Sequence, residues 1–84
     1  MIRTARRKPL ELEALLYTGK NADEARVFMG GQIMIRTIAD GMAIVVPTLE
    51  GELLAPPDTW ILKGVAGEVW PVRPDIFAQT YDLV

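Results

Sequence analysis

The chain has 84 residues, half of them hydrophobic, which limits it to one domain with one small core. It contains no cysteine and no histidine, which removes the disulfide, the thiol nucleophile and the commonest general base, so the composition argues against an enzyme and gives no reason to expect a metal or a cofactor. A net charge of -2 argues against general nucleic-acid binding, and no apolar run approaches the ~18 residues of a membrane span, so a cytoplasmic protein is expected.

The N-terminal segment is basic and lacks hydrophobic periodicity. Residues 1–8 are predicted to form a flexible arm, and residues 9–84 a single α+β domain that begins at Pro9. A partner or a sheet edge would be needed to hold such an arm, and a small anion or an acidic partner would suit its charge. Its cations are Arg3, Arg6, Arg7 and Lys8.

The first ordered segment alternates with period two, which predicts a strand with one buried face. The alternating sets are Leu10, Leu12, Ala14 and Leu16 against Glu11, Glu13, Leu15 and Tyr17. After a turn at residues 18–20, Asn21 is a good N-cap, and Glu24 stands at the capping-box position. A short helix is predicted from there, with Ala25, Phe28 and Met29 on one face, ending at Gly30 and Gly31.

The middle of the chain predicts a hairpin. Residues 32–38 and 42–46 are rich in β-branched side chains and meet at Asp40 and Gly41, a tight-turn dipeptide. The continuous apolar run of residues 43–46 indicates a strand buried on both faces. A second turn at Glu50 and Gly51 leads into a further strand over residues 52–55.

Two prolines break the chain after this strand, since Pro56 and Pro57 cannot donate ladder hydrogen bonds. Residues 59–63 and 68–72 then form a second predicted hairpin around residues 64–67, which places Trp60 and Trp70 near one another. A one-turn helix is predicted from Pro74, with Ile76 and Phe77 packed inward, followed by a short terminal strand at Tyr81. The predicted fold is α+β: one antiparallel sheet of five to six strands, a meander or small curled barrel, with two short helices.

The spacing of the C-terminal residues resembles a family of small tailed-phage and prophage proteins. The motif is Asp58-x-Trp60-Ile61 followed by Gly64-x-x-Gly67-Glu68-x-x-Pro71-x-x-Pro74-Asp75-Ile76-Phe77-x-x-Thr80-Tyr81. Residues 7–14, 18–19 and 21–30 are similar to the same family in their basic residues, first strand, turn and helix. The resemblance covers nearly the whole chain and implies a phage-encoded accessory protein in a bacterial host. It implies no particular activity.

The sequence departs from this family at one loop. Where the family has Pro-Gly-Asp directly before an aromatic residue, this chain has Pro56-Pro57-Asp58-Thr59-Trp60. The change puts the conformation of the loop and the register of Trp60 in question.

Five residues are candidates for ligand binding: Trp60, Lys63, Trp70, Arg73 and Arg36. The tryptophans would stack on a nucleobase or another aromatic ligand, or they fill the core or a subunit interface. The cations at the ends of the terminal hairpin, Lys63 and Arg73, would hold a phosphate, or they are solvated and paired with Glu68 or Asp75. Arg36 interrupts an apolar strand, where it faces solvent or an anion. Glu68 has no partner group at a spacing that would complete a catalytic mechanism.

Three hypotheses for the function follow. The first is a non-enzymatic anti-defence or host-manipulating protein that sequesters a small anionic ligand, such as a signalling nucleotide, or a protein target. The others are a protein-interaction module, and a minor phage structural or replication-associated protein. Because two tryptophans, four methionines and an apolar terminal hairpin would leave apolar surface for a second copy, the sequence also predicts a homo-oligomer.

Overall fold

The computed structural model describes residues 1–6 and 10–84. Its elements in chain order are β1 (Glu13–Tyr17), α1 (Ala22–Phe28), β2 (Met34–Ile38), β3 (Gly41–Thr48), β4 (Gly51–Ala55), β5 (Thr59–Lys63), β6 (Val69–Val72) and α2 (Pro74–Thr80). The α+β class is confirmed. Residues 1–6 are exposed and lie outside regular secondary structure, whereas Arg7, Lys8 and the predicted start of the domain at Pro9 fall outside the described residues.

The strands form two antiparallel sheets rather than the single sheet predicted. Sheet 1 has the order β1-β5-β6 and sheet 2 the order β2-β3-β4. The prediction assumed that strands close in sequence pair with each other, but β1 pairs with β5, from Glu13 opposite Lys63 to Tyr17 opposite Thr59. Pairing between residues this far apart is set by tertiary packing, and no local pattern in the chain encodes it.

The loop between β4 and β5 directs the chain from one sheet to the other. Asp58 has φ +68°, in the left-handed region that Asp tolerates, and its backbone N–H donates to the carbonyl of Tyr17 at 2.7 Å. Pro57 packs against the turn after β1, where a Cβ on Gly19 would lie 3.0 Å from the Pro57 Cγ. The Pro57 that departs from the phage-family pattern therefore fills the contact between this loop and that turn.

The main core lies between the two sheets and α1. It contains the buried side chains of Leu15, Tyr17, Ala25, Ile44, Val46, Ala55 and Ile61. The predicted burial of both faces of β3 is confirmed, because residues 43–46 are all at most 4% exposed. The hydroxyl of Tyr17 crosses between the sheets and donates to the carbonyl of Met42 at 2.6 Å.

The first strand is shorter than predicted. Regular pairing begins at Glu13, whereas Leu10 is 63% exposed. Its buried side chains are Leu15 and Tyr17, while Leu16 is 37% exposed. The set that contains Leu16 is the more regularly apolar of the two alternating sets, but it does not face the main core. The pairing with β5 directs Leu15 and Tyr17 toward Ile61 instead.

The ends of α1 were predicted at the right residues, but the N-terminal hydrogen bonds differ. Asn21 is the N-cap without capping the helix backbone; its amide group donates to Glu24 at 2.8 Å and to the Leu16 carbonyl at 2.9 Å. At the other end, Gly31 N–H donates to the Arg26 carbonyl and Gly30 N–H to the Val27 carbonyl, both glycines having positive φ. These two bonds form a Schellman motif.

The C-terminal helix is longer than the single turn predicted, since α2 spans seven residues. Phe77 is 6% exposed as predicted, but Ile76 is 45% exposed. The predicted strand at Tyr81 is wrong, because residues 81–84 have no regular structure. The helix begins at Pro74 and packs on β5 through Phe77, which stacks on Trp60, so Ile76 lies on the outer side of the helix.

Candidate functional site

The predicted ligand-binding tryptophans lie on the face of sheet 1 that points away from the main core. Trp60 is opposite Val72 and Trp70 is opposite Leu62, so the two indoles share one face, two positions apart across the β5–β6 pair. Both are half-buried. The strand register therefore confirms the prediction that the two tryptophans are near neighbours across the hairpin.

Trp60 is covered by α2. Its ring stacks on Phe77 with centroids 4.1 Å apart and planes 9° from parallel, and Phe77 stacks in turn on Tyr81 at 5.2 Å. These contacts use one face of the indole to hold α2 on sheet 1. In this conformation Trp60 packs within the fold, which agrees with the alternative interpretation that the tryptophans are packing residues and not ligand-binding residues.

Arg73 is paired with its neighbour on α2. Its guanidinium donates twice to the Asp75 carboxylate, at 2.6 and 3.1 Å, and both side chains are exposed. The hydrogen bond from Arg73 holds the pKa of Asp75 below its usual value. The predicted alternative, pairing of Arg73 with Asp75, is confirmed.

The remaining predicted residues lie apart from this pair. Lys63 points to the core side of sheet 1, with its Nζ 4.4 Å from the centre of the Phe28 ring, a cation–π contact. Arg36 is exposed on β2, opposite Ala43 in sheet 2. Glu68 folds back over Gly64, where its carboxylate occupies the space that a Cβ would take. In one copy of the chain, the five candidates do not converge on a common site.

A shallow groove of about 750 Å³ lies between β1 and α1. Leu15, Val27 and Phe28 supply its apolar lining, Ala14 of β1 also borders it, and Val27 is 69% exposed. The charged residues along it are Glu13, Glu24 and Lys63. Two carboxylates therefore stand against one ammonium group, and that ammonium already lies over Phe28.

The groove runs beside the free edge of β1. The Tyr17 carbonyl accepts from Asp58 on the side of β5, whereas the Leu16 carbonyl accepts from the Asn21 side chain outside the sheet. Since successive residues of a strand direct their backbone groups to opposite sides, Ala14 has the same orientation as Leu16. The N–H and C=O of Ala14 therefore face the open edge, next to the groove.

Sequence reasoning missed this groove. Phe28 was predicted to share a helical face with Ala25, and the structure places that face against the main core. The groove itself depends on β5 lying beside β1, which places Lys63 across from α1. The acidic residues that line it were interpreted otherwise in the sequence, Glu13 as part of the alternating strand and Glu24 as the capping-box residue.

Comparisons with known proteins identify no relative. No family model matches the chain, and neither a curated protein nor a solved structure is significantly similar to it. The resemblance to small phage proteins stays a prediction made from the motif residues. Within residues 1–6 and 10–84, neither α1 nor α2 has the length and apolar character of a membrane-spanning helix.

Proposed function

We propose that this chain is a non-enzymatic accessory protein, encoded by a tailed phage or prophage, that acts in the bacterial host by binding a protein target. The observation that supports this proposal is the groove between β1 and α1. It combines an apolar floor with a free strand edge, the two features that recognise an extended peptide segment. The backbone of the segment would pair with Ala14, and its side chains would contact Val27 and Phe28.

The charge of the groove favours a basic segment. Glu13 and Glu24 line it, whereas the single cation, Lys63, is held over an aromatic ring. An anionic ligand would meet net negative charge here. A target segment with alternating basic and apolar side chains suits the groove better than the small nucleotide-type ligand that the sequence suggested. Binding of such a nucleotide is the alternative result that the test can detect.

The test compares Val27→Lys with Val65→Lys. Both change an exposed valine to lysine, at 69% and 82% exposure, but Val27 lies in the groove and Val65 in the turn between β5 and β6. The same host protein should be captured from infected-cell lysate by the original chain and by Val65→Lys, and lost with Val27→Lys. Because the new ammonium group interrupts the apolar floor and repels a basic segment, we expect at least a tenfold loss of affinity for the purified target, about 1.4 kcal/mol.

A panel of cyclic and ADP-ribose-type nucleotides, measured by thermal shift and calorimetry, separates the alternatives. Nucleotide binding that is equal in both variants would replace the peptide-binding proposal with sequestration of a small ligand. Equal capture of the target by both variants would show that the groove is not the binding surface.

A further inference from the structure

We infer that the N-terminal segment of a second copy of this chain occupies the groove between β1 and α1, so that two copies exchange residues 1–6. This inference rests on the peptide-binding groove proposed above and names one segment that fits it. It assigns the predicted homo-oligomer to a definite contact, in which each copy completes the site of the other.

The segment has the charge and the pattern that the groove requires. Residues 1–6 carry Arg3 and Arg6, whereas the groove carries Glu13 and Glu24. In an extended conformation Ile2 and Arg6 lie on the same side, since alternate residues face the same way. One apolar side chain and one cation would therefore enter the groove together, while Arg3 lies on the opposite side.

The segment also has the right length and is free to exchange. Six extended residues span roughly 20 Å, and the five residues of β1 roughly 17 Å. Met1 and Ile2 are fully exposed, so they do not fill the groove of their own copy in this structure. The backbone of the segment would pair with the N–H and C=O of Ala14 at the free edge, as an added strand does.

Reciprocal exchange gives a closed dimer. If the segment of one copy lies along β1 of the other, a two-fold axis places the second segment in the first groove, and both sites are filled. The contact area is small and part of its energy is electrostatic, so the dimer should be weak and should dissociate as salt increases. A target with a basic segment would compete with the exchanged segment for the same groove.

The experiment is a charge exchange read out by sedimentation equilibrium at low salt, from micromolar to millimolar protein. The original chain should rise from 9.3 kDa toward twice that mass. The variant Arg3→Glu/Arg6→Glu should stay monomeric, as should Glu13→Arg/Glu24→Gln, in which glutamine keeps an acceptor for Asn21. We expect at least a tenfold weaker dimer in each.

An equimolar mixture of the two variants should dimerise again, because each segment then meets a groove of opposite charge. The matched control is Glu50→Arg/Glu52→Gln, which makes the same charge change at exposed residues around the β3–β4 turn and should leave the dimer intact. Circular dichroism checks that each variant is folded.

A monomer at millimolar concentration in the original chain, or a dimer that survives in Arg3→Glu/Arg6→Glu, would overturn the inference. A labelled peptide with the sequence of residues 1–12, titrated into the Arg3→Glu/Arg6→Glu protein, distinguishes the two proposals. If this peptide binds but the original chain is monomeric, the groove functions and arm exchange fails. If it does not bind and the chain still dimerises, another surface holds the dimer and the inference is equally wrong.

Discussion

The two sheets of this protein are similar in size but differ in how well they are covered. In sheet 1, Ile61 and Leu62 on opposite faces of β5 are both at most 1% exposed, one facing the main core and the other lying on the face that α2 crosses. In sheet 2, burial is concentrated in the central strand, β2 is exposed along nearly its whole length, and β4 is exposed except at Ala55. The difference teaches that the position of a side chain across a sheet, more than its chemical type, decides what it contributes to stability.

The largest effect is expected from Ile44→Ala in β3. Ile44 is fully buried between the sheets, so truncation removes apolar contacts and leaves a cavity that a packed core fills poorly. We expect the free energy of unfolding to fall by about 4 kcal/mol, measured by urea denaturation. For so small a domain this is a large fraction of the total stability.

The matched control is Ile35→Ala in β2. Ile35 is the direct register partner of Ile44 but is 44% exposed. We expect a loss below ~1 kcal/mol. Equal losses at the two positions would show that β2 is covered in solution, for example by a second copy, and that the two sheets do not differ as described.

The next effect is expected from Phe77→Ala in α2. Phe77 stacks on Trp60 and on Tyr81, and it is the buried residue of that helix. Its loss should cost about 3 kcal/mol and detach α2 from sheet 1, which exposes Trp60 to water. Tryptophan fluorescence should shift to longer wavelength in the folded variant.

Ile76→Ala provides the comparison on the same helix, because Ile76 is 45% exposed. We expect unchanged fluorescence and a loss below ~1 kcal/mol. If both variants shift the fluorescence equally, contacts spread along the helix, and not the aromatic stack of Phe77 in particular, hold α2 in place.

The sequence predicted most of the local structure because that structure is encoded locally. The glycines at the end of α1, the turn at Asp40 and Gly41, and the prolines before β5 each act within a few residues of their position. What it could not predict was the partner of β1. That pairing joins residues about 46 apart and rests on packing among Leu15, Tyr17 and Ile61.

At the candidate binding residues, too, local contacts could be predicted from the sequence and contacts between distant elements could not. The pairing of Arg73 with Asp75 is local and was one of the predicted alternatives. The contact of Lys63 with Phe28 joins α1 to β5, and the stacking of Trp60 with Phe77 joins β5 to α2. Both contacts depend on how the elements assemble, and both give candidate binding residues a packing partner that the motif alone did not indicate.

A smaller effect is expected from Tyr17→Phe, which tests the hydrogen bond that joins the sheets. Removal of the hydroxyl leaves the Met42 carbonyl without this donor, and we expect a loss of about 1 kcal/mol at neutral pH by urea denaturation. Thr37→Val, at the exposed residue of β2 opposite Met42, controls for the loss of any hydroxyl in this region.

Tyr17 should also make stability depend on alkaline pH. Burial raises the pKa of Tyr17 above its usual value of 10.0, so the folded state favours the neutral phenol. This contribution is complete below pH 10 and is lost as the pH rises through the raised pKa, because the unfolded chain ionises first. The alkaline loss should be smaller in Tyr17→Phe. An identical alkaline profile in both proteins would place the titrating group elsewhere.

The smallest effect is expected from Asp75→Asn, on the outer side of the better-covered sheet. The hydrogen bond from Arg73 lowers the pKa of Asp75 from 3.8, so its contribution is present above that value and is lost as the pH falls through the lowered pKa. Both side chains are exposed, and solvent screens the pair. The thermal midpoint of Asp75→Asn should therefore lie slightly below that of the original chain at pH 7 and coincide with it near pH 2, whereas Asp82→Asn, beyond the end of α2, should show no difference at either pH. A difference that persists at pH 2 would mean that the side chain at position 75 acts through the shape of the first helical turn, and that the ion pair contributes nothing to holding α2 on sheet 1.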